Sequence, residues 1–125
     1  MKIEHIGLFV SDLEAARVFY TKYFNGSAGA KYHNKKTGFS SYFISFPDGA
    51  RLELCHQEKR KGHNNDGLGF VHLAFSLGSK QAVDEKTAEL TQAGYELLSG
   101  PRTTGDGYYE AVVSDLEGNQ LELTI

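Results

Sequence analysis

The sequence predicts an α+β fold made of two βαβββ modules whose curved half-sheets close into a cup. Three observations carry this. The phrase Gly-x-x-Leu-Glu-Leu occurs twice, as Gly49-Ala50-Arg51-Leu52-Glu53-Leu54 and as Gly118-Asn119-Gln120-Leu121-Glu122-Leu123, at an offset of 122 − 53 = 69 residues. The same succession of strand, helix and three strands fits each half. Other landmarks recur at nearly the same offset: His5 and His72 (72 − 5 = 67), Ser11 and Ser79 (79 − 11 = 68), Gly26 and Gly94 (94 − 26 = 68). Offsets that drift by single residues indicate one duplicated module with small loop changes. A single module leaves a curved half-sheet with an open concave face, and two of them, in one chain or across a dimer, can close it.

Each element follows from local pattern. Ile3 to Val10 is rich in strand formers, with Ile6, Leu8 and Val10 on one face and His5, Gly7 and Phe9 on the other. Ser11 begins a helix, with Glu14 three residues on as in a capping box. Leu13, Ala16, Phe19 or Tyr20, and Tyr23 recur at helical spacing to about Phe24, and Asn25-Gly26 stops the helix. A short strand is expected over Ala30 to His33, a turn at residues 34–38, a strand from Phe39 to Phe46, a turn at Pro47-Asp48-Gly49 and a strand from Arg51 to His56. The polar stretch Glu58 to Gly69 is where one half should end. Phe70 to Leu77 then reads as a strand, with Val71, Leu73 and Phe75 on one face and His72, Ala74 and Ser76 on the other. After Gly78-Ser79 comes a helix with Ala82, Val83, Leu90 and Ala93 on one side, stopped by Gly94. Tyr95 to Leu98 is expected as a short strand. Gly100-Pro101 and Gly105-Asp106-Gly107 are expected as turns. Tyr108 to Ser114 and Gln120 to Ile125 complete the strands around the turn at residues 115–118.

Composition narrows the function classes. Hydrophobic residues make up 40% and charged residues 23% of the 125, ordinary for a globular protein with a real core. A net charge of −3, with Lys59-Arg60-Lys61 the longest basic run, argues against nucleic acid as partner. No segment approaches the ~18 apolar residues of a membrane span. The N-terminus enters a strand pattern directly, with no apolar signal region. One cysteine, Cys55, excludes an intrachain disulfide framework and fits a reducing compartment, so a cytoplasmic location is expected.

The chemistry lies in residues that strand alternation sends away from the core. Leu52 and Leu54 must share one face, which puts Glu53 on the other; Leu121, Leu123 and Glu122 repeat the arrangement. A mid-strand carboxylate opposite two leucines is costly unless its face is wet or holds a cation. Each half also places one histidine on its first strand. A lone strand histidine is usually a hydrogen-bonded or surface residue, and a lone strand glutamate usually faces water. Recurrence of both types on equivalent strands shifts the weight toward a shared site. His5, Glu53, His72 and Glu122 form a sound ligand set for a divalent ion, Ni, Zn, Mn, Fe or Co, with room left for water or substrate. His33, His56 and His63 lack a counterpart and are expected to be structural or surface residues. Cys55 shares the parity of Glu53 but is expected to behave as a small hydrophobe.

The segments His5-Ile6-Gly7-Leu8, Val10-Ser11-Asp12-Leu13-Glu14, Phe19-Tyr20, residues 69–75 and residues 115–123 resemble the glyoxalase/bleomycin-resistance/extradiol-dioxygenase superfamily, the vicinal oxygen chelate proteins. The resemblance covers essentially the whole chain. It implies a single glyoxalase-like domain over residues 1–125, built from repeats 1–60 and 68–125. Its sheet would be a barrel-like mixed cup with the helices outside, around a metal. The full set His5, Glu53, His72 and Glu122 is most similar to lactoylglutathione lyase, whereas dioxygenases and thiol transferases of the superfamily use His, His and Glu. The implied activity is a metal-dependent lyase or isomerase that chelates vicinal oxygens of a small carbonyl or hemithioacetal substrate. By the same resemblance Glu122 is the proton-shuttling catalytic residue. A homodimer is expected. The glutathione-holding arginine of lactoylglutathione lyases falls at Phe9 here, with Arg51, Arg102 and Lys36 as possible substitutes. Two alternatives stay open. One is a resistance protein that sequesters an aromatic antibiotic between clefts supplied by 7 Tyr and 8 Phe. The other is a metal-dependent dioxygenase or thiol transferase in which Glu53 is incidental.

Overall fold

A computed structural model describes residues 1–63 and 68–125 of the chain. Within the stretch expected to join the halves, residues 64–67 lie outside the described residues. The chain divides into two compact units, Met1–Gly62 and His63–Ile125.

The first unit runs β1 (His5–Phe9), α1 (Leu13–Tyr23), β2 (Ser27–Ala28), β3 (Tyr32–Asn34), β4 (Phe39–Ser45) and β5 (Arg51–His56). Its sheet has the order β1-β5-β4-β2, with β3 also pairing β4. β1 runs parallel to β5, while β4 is antiparallel to β5, β2 and β3. The second unit runs β6 (His72–Ser76), α2 (Lys80–Gln92), β7 (Leu97–Thr103), β8 (Tyr109–Ser114) and β9 (Gln120–Thr124). Its order, β6-β9-β8-β7, is the same path, again with one parallel pair followed by antiparallel ones. The fold is α+β with mixed sheets. Among the described residues no helix is long and apolar enough to cross a membrane.

Alternation decides which face each helix covers. In β5, Leu52 and Leu54 are buried, and with Ile44 of β4 they meet Leu13, Ala16, Phe19, Tyr20 and Tyr23 of α1. In the second unit Leu121 and Leu123 of β9 and Ala111 and Val113 of β8 are fully buried, against Val83, Thr87 and Leu90 of α2. Thr87 is tolerated there because its hydroxyl donates to the Val83 carbonyl at 2.7 Å. Each fully buried leucine contributes about 1.5–3 kcal/mol. The residues between the leucines, Glu53 and Glu122, are thereby turned to the helix-free face of their own sheet.

The helix ends differ from the expectation in one respect. Asp12, not Ser11, caps α1, its carboxylate accepting from the Ala15 amide at 2.9 Å. Ser79 caps α2 as expected, accepting from the Ala82 amide at 3.1 Å. Glu14 does not reach back to close a capping box. Its carboxylate instead accepts from Arg17 of the same helix, from Lys31 before β3 and from the Tyr42 hydroxyl of β4, each at about 3 Å. Those donors, Lys31 first, hold its carboxyl down at about 2 against an ordinary 4.5. The cluster fastens the first turn of α1 to the sheet. In the second unit Tyr109 of β8 donates to Asp84 of α2 at 2.6 Å to similar effect.

Two strand assignments and one turn also change. The strand expected over Ala30 to His33 lies at Tyr32–Asn34 as β3, and an unexpected two-residue strand, β2 at Ser27–Ala28, precedes it; the two pair with opposite ends of β4. The strand expected to end at Leu98 begins at Leu97 and runs on to Thr103, so Gly100-Pro101 is not a turn but an irregularity inside β7. Gly100 has φ +79°, and a Cβ there would lie 2.5 Å from the Glu110 carbonyl oxygen. The two helix-stopping glycines do different jobs. Gly94 takes the left-handed conformation after α2 (φ +94°), but after α1 that role falls to Asn25 (φ 54°). Gly26 is required for space, since a Cβ would sit 2.4 Å from Ile44 Cγ2 and 3.0 Å from the Tyr20 carbonyl.

Two outcomes follow. Gly100→Ala combines a left-handed φ with a backbone clash, so it should lower the unfolding free energy by about 2 kcal/mol or more, whereas Gly38→Ala, with open space around it, should cost about 1 kcal/mol; chemical denaturation of both variants checks the ranking. The second concerns Glu14. A depressed folded-state pKa adds stability that is complete above about pH 4.5 and lost as pH falls through about 2. The Tm difference between wild type and Glu14→Gln should therefore shrink below pH 4.5, and shrink at pH 7 in high salt because the carboxylate is half exposed. A difference independent of both pH and salt would assign the effect to packing.

Candidate metal centre

The four residues singled out in the sequence fall into two pairs, one per unit. In the first, β1 and β5 align His5 with Arg51 and Gly7 with Glu53. His5 and Glu53 therefore lie diagonally on one face, with Nε2 3.9 Å from Glu53 Oε2. In the second, β6 and β9 align His72 with Gln120 and Ala74 with Glu122. The diagonal is the same, and His72 Nε2 is 3.3 Å from Glu122 Oε2. The glutamates are the more sheltered partners: 21% exposed against 42% for His5, and 17% against 33% for His72. Among the described residues, neither unit by itself assembles three or more His, Cys, Asp and Glu side chains into a metal-ready group.

One of the two donor separations is near that of a metal-bound pair. An ion held at about 2.1 Å by a nitrogen and an oxygen at right angles separates them by about 3 Å. The His72–Glu122 pair, at 3.3 Å, is close to that spacing, and the His5–Glu53 pair, at 3.9 Å, is wider. Each pair offers one imidazole nitrogen and one carboxylate, suited to first-row divalent ions.

Support around the pairs is unequal. His5 Nδ1 lies 2.5 Å from Glu4 Oε2. Glu4 is in turn held by the Arg51 guanidinium, whose Nε donates at 2.8 Å. A carboxylate on one ring nitrogen fixes the tautomer and leaves the other free to ligate. The bond to His5, then that to Arg51, keeps the Glu4 carboxyl below its usual range. Arg51 also stacks 4.1 Å from the Phe43 ring centroid, and Phe43 packs edge-on against His5. The second unit has Val71 and Gln120 at the corresponding positions, so His72 has no such brace. The sequence analysis did not single out Glu4. The signal available was an acidic residue beside a ligand-type histidine and an arginine two before the ligand-type glutamate.

The remaining residues are also placed. Arg51 and Arg102, candidates for holding a substrate carboxylate, are engaged: Arg51 with Glu4, and Arg102 with Glu110 at 3.6 Å and the Ser99 hydroxyl at 3.1 Å. Lys36 lies in the turn between β3 and β4, where its amide donates to Asn34. His56 bonds the Val10 carbonyl at 3.0 Å, His33 the Ser40 hydroxyl at 2.8 Å and His63 the Asn119 side-chain oxygen at 2.7 Å, all structural roles. Cys55 shares the face of Glu53 but is buried, and burial followed by the nearby Glu53 charge pushes its thiol up to about 11. It is no nucleophile at neutral pH. Phe9 remains partly exposed, and the guanidinium of Arg60, which the sequence analysis did not name among candidate anion holders, sits 4.1 Å from its ring centroid.

Comparison with known proteins agrees with this architecture. A family model described as "Glyoxalase/Bleomycin resistance protein/Dioxygenase superfamily" matches residues 2–123. The uncharacterized protein YqjT of Bacillus subtilis is 32% identical over 127 aligned residues, covering 97% of this chain and 96% of YqjT. Among solved structures, a glyoxylase/bleomycin resistance protein/dioxygenase domain from Frankia superposes with a TM-score of 0.86 at 20% identity, over 100% of this chain and 97% of that one. A trypanothione-dependent glyoxalase I from Leishmania major gives 0.79 at 20% identity, over 99% and 86%. At such identity the two structures attest the fold alone. With the family match spanning nearly every residue, the chain belongs to the Glyoxalase/Bleomycin resistance protein/Dioxygenase superfamily.

Proposed function

We propose that the chain is a metal-dependent lyase or isomerase of the glyoxalase I type, acting on a small carbonyl or hemithioacetal substrate through its vicinal oxygens. The observation that carries this reading is the pair of His–Glu diagonals in identical strand register, at 3.9 and 3.3 Å. The modules of residues 1–60 and 68–125 act as one functional domain. His5, Glu53, His72 and Glu122 hold one divalent ion between them, the two pairs drawn from one chain or from two copies of a homodimer. The protein works in the cytoplasm.

When bound, a divalent ion supplies Lewis-acid stabilisation of charge on two adjacent oxygens. The rest of the chemistry falls to the chain. Glu122 is the most sheltered of the four ligands. It takes the proton from the carbon next to the carbonyl and returns it to the neighbouring carbon, as general base and then general acid. Glu4 keeps His5 in the tautomer that presents Nε2. Glu53 completes the charge balance of two carboxylates around a dication.

Glu122→Gln should retain a bound ion and lose about 10²–10⁴-fold in kcat on the methylglyoxal–glutathione hemithioacetal or another thiol adduct that proves to be turned over. Unchanged turnover would remove Glu122 from the proton transfer. Chelation should lower the Tm by several degrees and nickel or zinc should restore it, since a ligand at a hundred times its Kd adds about 2.7 kcal/mol. A Tm indifferent to both would remove the metal.

The wider His5–Glu53 spacing favours a second reading, a His-His-Glu centre of the dioxygenase or thiol-transferase kind in which Glu53 does not ligate. Glu53→Gln separates the two: it should weaken metal affinity at least tenfold under the first reading and leave it unchanged under the second.

A further inference from the structure

The helix-free face of the first unit is chemically lopsided. Strand register arranges it in rows across β1, β5 and β4. Gly7, Glu53 and Phe43 form one row, and Phe9, Cys55 and Ser41 the next, two residues or about 7 Å along. Cys55 and Ser41 are buried in that second row. Phe9 and Phe39 meet edge to face with centroids 6.3 Å apart, and Tyr32 tilts against Phe39 at 6.3 Å. Phe9 and Tyr32 nevertheless stay 41% and 54% exposed, although large rings at a sheet surface ordinarily gain by burial. Over Phe9 lies the Arg60 guanidinium, 4.1 Å from the ring centroid. No carboxylate pairs with Arg60 among the described residues, whereas Arg17, Arg51 and Arg102 each have an acidic partner.

We infer that Phe9, Phe39, Tyr32 and Arg60 form a specificity subsite for a flat carboxylate, so that the preferred substrate joins its metal-binding oxygens to an anionic, planar unsaturated group. The inference rests on His5 and Glu53 belonging to the substrate site. Stacking on Phe9 orients the guanidinium and leaves its N–H edge free to grip a carboxylate through two bonds. One guanidinium balances the single charge of a carboxylate, and the exposed rings offer the flat group a surface. The row of Phe9 lies about 7 Å along the strands from the row of Glu53, the scale of a one-ring molecule with oxygens at one end and the carboxylate at the other.

The test uses ligand-observed NMR titrations of the full chain in two arms. In the metal-free arm, benzoate should bind more tightly than neutral benzamide. Arg60→Gln should remove that preference, about a tenfold loss for benzoate alone, and Phe9→Leu should weaken benzoate about threefold. Equal binding of the two compounds, or a preference untouched by Arg60→Gln, overturns the subsite. In the metal-loaded arm, 3,4-dihydroxybenzoate should gain affinity over benzoate, and the gain should vanish with chelator. A metal-dependent gain without carboxylate preference overturns the subsite and leaves the metal reading standing. A carboxylate preference without that gain supports the subsite and counts against the metal reading. Because Arg60 is exposed, its variant should keep the wild-type Tm.

Discussion

The parallel pairing of the first and last strands of each module is the constraint on which the rest depends. Once β1 lies beside β5 with His5 opposite Arg51, alternation leaves no freedom. The leucines of β5 must go under α1, Glu53 must emerge on the other side, and His5 must stand one diagonal away. The second module repeats this with His72 and Glu122. A register slip of one residue would exchange the buried leucines for carboxylates, so the burial energy of the core specifies the site. The histidine and glutamate of each pair need no separate device to find each other.

That economy explains why so much was legible in the sequence. The Leu-Glu-Leu phrase contains both the core and the exception to it. Repetition of the phrase, with a histidine at a matching offset, tells the exception from a surface residue. Both helices and the strands β1, β4, β5, β6, β8 and β9 followed from the same alternation and periodicity. Family membership followed from the motifs that surround them.

What was not legible depends on neighbours distant in sequence. Ser11 and Asp12 are both good caps, and local sequence does not choose between them; the structure uses Asp12. Gly100-Pro101 has turn chemistry, but the approach of the Glu110 carbonyl makes it an irregularity within β7. Glu4 and Arg51 lie 47 residues apart and become a brace for His5 only when β1 and β5 pair. Arg60 sits in a basic run that looks like solvated loop, and nothing local says that its guanidinium rests on Phe9. The two modules share a backbone plan but differ in such additions.

The central claim is that the two His–Glu pairs serve one ion. Its most direct test is metal content per chain, by elemental analysis of protein dialysed against nickel or zinc and then against metal-free buffer. The account predicts one ion per chain in the wild type and a loss of most of it in both His5→Ala and His72→Ala, because each removes a ligand from the same centre. Two ions per chain, with each variant losing only one, would mean that the pairs act separately. No retained ion would mean that the diagonals serve some other purpose.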